Sequence, residues 1–105
     1  MFPDTAVFVA PDVGSEVRGD PDPSYNGSPT YSGAAYVEAV NSTAARQEQH
    51  NVPEGSQVWA VYTPTNPGSV VDSQVTWGSV IFWAIAPAQG QGGGVVWRTW
   101  CRDVR

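Results

Sequence analysis

Apolar and polar positions alternate most clearly in the last third of the chain. Val75, Trp77, Ile81, Trp83 and Ile85 all fall on odd positions, the period-two pattern of a strand. Gly78-Ser79 interrupts the run. A Gly-first two-residue loop favours a type II′ turn, so residues 73–77 and 80–86 are predicted to pair as a hairpin ended by Pro87. Beyond a flexible loop at 89–94, Val95, Trp97, Thr99 and Cys101 alternate with Val96, Arg98, Trp100 and Arg102, completing a three-stranded meander. The shared parity predicts one buried cluster of Trp77, Ile81, Trp83, Trp97 and Cys101.

Weaker alternation predicts three earlier strands, at 5–10, 34–40 and 57–63. In the second, Tyr36, Glu38 and Val40 share one face and Ala35, Val37 and Ala39 the other. Between the first two strands, residues 12–32 are dominated by Gly, Pro, Ser, Asp and Asn without a sustained period, and predict a long surface loop. Residues 41–57 form a second long connection almost devoid of apolar anchors. Ser42 could cap a short helix over 43–49, ended by Pro53 and Gly55.

Composition narrows the fold. The 105-residue chain suits one domain, residues 1–105, with a single modest core. It has no leucine and no lysine, two of the best helix formers, while its valines and aromatics suit a pleated surface. The 41% apolar fraction excludes wholesale disorder, and 11 glycines with 9 prolines demand irregular connections. The expected fold is all-β: a small antiparallel β-barrel or sandwich of about five to six strands, with long loops and at most one short helix.

A formal charge of -5 disfavours a protein that grips nucleic acid by neutralising phosphates. Nine of the ten carboxylates lie at or before Asp72, whereas Arg98, Arg102 and Arg105 crowd the C-terminus. Such complementary ends could favour subunit association, and an ordinary soluble surface is an equal alternative. The N-terminus lacks a basic region followed by an apolar run, and no apolar stretch is long enough to span a membrane as a helix. A soluble, cytoplasmic product is therefore expected.

Candidate chemistry is sparse. His50 stands in a polar segment without a second imidazole or thiol at ligand spacing, so a solvated side chain is favoured over a metal ligand or base. Asp20 and Asp22 bracket Pro21 in a Pro-rich stretch and read as solvated. Gly90, Gly92, Gly93 and Gly94 lack the Lys-Ser/Thr of a phosphate-binding loop. Arg18-Gly19-Asp20, Asn26-Gly27-Ser28 and Asn41-Ser42-Thr43 match short adhesion and glycosylation motifs at a length where chance matches are common. Cys101, the single cysteine, reads as a small core residue rather than a nucleophile. The five tryptophans read mostly as core, with a sugar-binding or base-stacking platform as the alternative. No catalytic residue, metal site or cofactor is expected.

The order of features resembles a known family. Ala-Tyr-Val-Glu leads into Asn-Ser-Thr-Ala-Ala-Arg-Gln-Glu-Gln. Val-Trp-Ala-Val-Tyr-Thr-Pro follows, and then Val-Asp-Ser-Gln-Val-Thr-Trp-Gly-Ser-Val-Ile-Phe-Trp-Ala-Ile. Over residues 34–102 this is similar to the head-closure, or head-to-tail stopper, proteins of tailed phages, which are small β-barrels. The resemblance carries over Ala35 and Val37 before the loop, Ala45 and Glu48 within it, Val61 and Tyr62 after it, and Asp72, Gly78 and Ile81 in the hairpin. The Pro-rich insertion at 12–32 and the tryptophan-rich C-terminus depart from the short forms of that family.

The resemblance implies a structural virion protein of the phage neck, made in the host cytoplasm, that forms a homo-oligomeric ring of about six or twelve copies. The ring would sit below the portal or its adaptor, close the DNA channel and dock a tail terminator or tail tube protein. Packaged DNA would pass through without sequence-specific binding, eased by acidic residues. Arg46, Glu48, His50 and Glu54 become candidates for a channel or intersubunit loop. Tyr25, Tyr31, Arg98, Arg102 and Arg105 become candidates for contacts with a neighbouring subunit or the tail. Two other classes compete: a carbohydrate-binding β module using exposed Trp or Tyr, with Trp59 and Trp100 as its test positions, and a small hydrolase, least favoured, dependent on His50.

Overall fold

The structure, a computed structural model, describes residues 2–12, 25–40 and 57–103. Among these described residues there are seven strands: β1 (Asp4–Val9), β2 (Tyr31–Val40), β3 (Val58–Thr63), β4 (Gln74–Trp77), β5 (Val80–Ala84), β6 (Gln89–Gln91) and β7 (Val96–Arg102). Among the described residues there is no helix, and the predicted helix at 43–49 lies outside them.

The strands form one antiparallel sheet in the order β3-β2-β1-β4-β5-β7-β6, and pairing of β3 with β7 closes it into a six-stranded barrel, with the short β6 also paired to β7. The seam is long, with Val58 opposite Arg102 and Thr63 opposite Trp97. Closure removes the two free edges that an open sheet would leave to aggregate.

The barrel is filled by alternate residues of its six strands β1, β2, β3, β4, β5 and β7. Ala6, Phe8, Ala35, Val37, Val61, Val75, Phe82 and Cys101 make one buried cluster, with Tyr31, Trp59 and Trp77 packed against it. The Trp59 ring lies 5.1 Å from Phe82 and 6.2 Å from Trp77, while Phe8 meets Tyr31 edge-on at 5.8 Å. Alanines and the cysteine leave the space that these rings occupy, as close packing in a narrow barrel requires.

The predicted hairpin is present, and its turn corrects the predicted core. Gly78 takes a φ of 59°, which Ser79 does not share, as the first position of a II′ turn demands. A two-residue loop sets Trp77 opposite Val80 and Val75 opposite Phe82, so facing residues have opposite parity. Phe82 and Ala84 therefore point inward, whereas Ile81 is 41% exposed and Trp83 is half-buried on the outer face. Trp77 and Cys101 join the core, but Ile81, Trp83 and Trp97 do not.

A second correction concerns 89–94. Trp83 and Ala84 pair with Arg102 and Cys101, the Ile85 amide donates to the Trp100 carbonyl at 2.8 Å, and pairing with β7 resumes at Gln89 opposite Arg98. β5 and β6 are thus two halves of one strand. Between them Ala86, Pro87 and Ala88 oppose the single residue Thr99, which makes a bulge and places Pro87 where no ladder N–H is needed. The Ala88 amide freed by the bulge donates to Ser69 Oγ at 3.0 Å, and that hydroxyl shares a proton with Thr99 Oγ1 at 3.3 Å. A Gly92-Gly93-Gly94 turn, all at positive φ, returns the chain to β7.

The strand at 34–40 begins three residues earlier than predicted, at Tyr31. Its loop is tied at the base, because the Asp12 carboxylate accepts the Asn26 and Gly27 amides, each at 3.1 Å, and Thr30 N–H donates to the Phe8 carbonyl at 2.8 Å. The two long connections leave the barrel at opposite ends: the chain enters β2 beside Phe8 and leaves it beside Val58.

Candidate functional site

The pleat of β2, β3 and β7 presents an outer face whose rows follow from the register. Tyr36 lies opposite Tyr62, and Tyr62 opposite Arg98; in the next row Glu38 lies opposite Ala60, and Ala60 opposite Trp100. Val58, Ala60, Ile85 and Trp100 bury one another on this side as a second small core, with Val40 and Tyr62 against it. The sheet is thus apolar on both faces here.

Tyr36 and Tyr62 stack at 5.9 Å with 26° between their planes. Both phenols aim at one carboxylate: Tyr62 donates to Glu38 Oε1 at 3.1 Å and Tyr36 to Oε2 at 3.4 Å. Burial pushes the Tyr62 phenol up, and its hydrogen bond to Glu38 and that carboxylate's charge act in the same direction, while Arg98 opposes them. Phe2, Val95 and Val96 complete the walls of a groove of about 500 Å³ around these three residues. Val95, at 76% exposure, stands at its rim on the β6–β7 turn. Beside it, the Arg98 guanidinium lies 4.4 Å from the centre of the Trp100 ring, a cation–π pair on the same outer face.

The groove gathers residues that sequence reasoning placed in separate strands. The Tyr36/Glu38 spacing on one face of β2 was visible, but pairing of Tyr36 with Tyr62 depends on a register set across residues 41–56. The short-range pattern carries no signal for it.

Of the expected site residues that are described, none lines this groove, although Arg98 stands beside it. Arg46, Glu48, His50, Glu54 and Arg105 lie outside the described residues. Tyr25 is held on the barrel, its phenol donating to the Asp72 carbonyl at 2.7 Å. Tyr31 is partly buried, packing edge-on against Phe8, and its hydroxyl donates to the Ala34 carbonyl on the exposed side. Arg102 is bound to Asp72, and Arg98 lies over Trp100. The two tryptophans considered for sugar binding are not displayed, since Trp100 is buried and Trp59 packs on Phe82. Cys101 is wholly buried, and burial pushes its thiol pKa up, which keeps it protonated and unreactive. Among the described residues, no three His, Cys, Asp or Glu side chains gather as a metal site.

No family model and no curated protein matches the chain. The solution structure of protein SF1141 from Shigella flexneri 2a aligns with a TM-score of 0.68, covering 97% of this chain and 92% of that one at 11% identity. At that identity the likeness is one of fold: the barrel described above is shared nearly end to end.

Proposed function

We propose that this protein is a structural subunit of the phage neck, a head-to-tail stopper that assembles as a homo-oligomeric ring between a portal or adaptor protein and a tail protein. The observation that carries the proposal is the departure of the two long connections from opposite ends of a closed barrel. A subunit wedged between two different partners needs a separate contact segment toward each, on a rigid body that keeps them apart. The acidic balance supports a conduit through which DNA slides. Arg46, Glu48, His50 and Glu54 would act in the channel or between subunits. The test is deletion of residues 43–54 in the assembling phage. The subunit should stay folded while particles leak DNA or fail to join tails, and normal infectious particles from the deletion overturn the reading.

A specific observation favours a second reading. The Tyr36/Glu38/Tyr62 groove combines ring faces with a carboxylate, as a carbohydrate-binding module would. Glycan-array signal abolished by Tyr36→Ala, in a protein that stays monomeric, would select this reading over the ring.

A further inference from the structure

We infer that the Tyr36/Glu38/Tyr62 groove receives an arginine side chain presented by a partner protein. This inference is independent of the neck reading. The groove has an apolar body and a single carboxylate at its floor. Phe2, Val95 and Val96 supply walls for the methylene stem of a long side chain, while Glu38 is the carboxylate among the lining residues. Each Glu38 oxygen accepts one phenol, which fixes the carboxylate in orientation and leaves lone pairs on both oxygens for a forked donor. Tyr36, 40% exposed, offers a ring face beside that carboxylate. A planar guanidinium satisfies both features at once, by hydrogen bonds to the carboxylate and by stacking on the phenol ring, which an ammonium does less well.

The same face already contains this chemistry, where the Arg98 guanidinium lies over Trp100. Arg98 also sits next to Tyr62 in the cross-strand row and offsets part, but not all, of the effect of the Glu38 charge there. Net charge selects the source. A second copy of a chain at -5 adds like charge, whereas a basic partner adds complementary charge. A neutral sugar would use the ring faces but could make no charge-assisted bond to the fixed carboxylate.

The test uses the whole protein and two capped tripeptides, acetyl-Gly-Arg-Gly-amide and its citrulline counterpart, which has nearly the same shape without the charge. Titration followed by amide NMR shifts should perturb Tyr36, Glu38, Tyr62 and Val96, with the citrulline peptide weaker by roughly fivefold or more. Glu38→Gln should reduce arginine binding by a similar factor, and Tyr36→Leu, which keeps the apolar wall, should also weaken it. Equal binding of the two peptides, or shifts confined to other surfaces, overturns the proposal. Tighter binding of a neutral disaccharide at the same amides overturns it in favour of a sugar. Self-association that Glu38→Gln abolishes would identify the occupant as a second copy and overturn the assignment to a partner protein.

Discussion

Arg102, on the last strand, donates from Nη2 to Asp72 Oδ1 at 2.7 Å, and Asp72 is the single described non-glycine residue at positive φ. The contact pins the turn before β4. Around it, the Asp72 amide donates to the Ala84 carbonyl at 2.8 Å, and the Asp72 carbonyl accepts the Tyr25 phenol. Asp72→Asn keeps a residue that tolerates the left-handed region and should cost about 0.5–1 kcal/mol, the loss of a partly buried ion pair. Asp72→Ala adds about 1–2 kcal/mol of backbone strain. Equal midpoints for the two variants in urea unfolding would show that the backbone conformation contributes nothing.

The parity switch across Gly78-Ser79 has an energetic signature. Phe82→Ala removes a wholly buried ring and should destabilise by about 3–5 kcal/mol. Ile81→Ala, next in sequence but on the outer face, should cost no more than about 1 kcal/mol. Reversal of that order in denaturant titration would place the hairpin in the opposite register.

The hydroxyl pair behind the bulge should respond asymmetrically. Ser69→Ala leaves the Ala88 amide without its acceptor and should cost about 1–3 kcal/mol, the penalty of an unsatisfied donor. Thr99→Val keeps the shape and leaves that bond intact, so it should cost less. Differential scanning calorimetry of the two variants checks the ranking.

Cys101 predicts a pH dependence. Its thiol starts from 9.0 in the unfolded chain and is pushed up in the folded one by burial, with Arg102 pulling weakly the other way. Above pH 9 the unfolded chain therefore binds fewer protons than the folded one, so the contribution is intact below that pH and lost as pH rises beyond it, by about 1.4 kcal/mol per unit. The raised Tyr31 and Tyr62 phenols add the same sign from about 10 upward. Cys101→Ala should flatten the stability profile between pH 9 and 10, and a thiol reagent should modify the native protein only at the rate of opening.

Much of the barrel was legible in the chain. Alternation over 75–85, the Gly78-Ser79 turn, and the lack of leucine and lysine together determined an all-β domain with a C-terminal hairpin, because strand period, turn chemistry and propensity act over a few neighbouring residues. Tertiary structure decided the rest. Which face of the hairpin meets the core depended on β1 pairing with β4, which sets Phe8 opposite Val75. The bulge that makes one strand of β5 and β6 depended on Ser69, nineteen residues away, accepting the Ala88 amide. The groove depended on Tyr36 meeting Tyr62 across a connection whose length carries no register. Local pattern identifies a strand and its two faces, but the face that meets a core, and the residues that meet across it, are set by pairings between segments far apart in the chain.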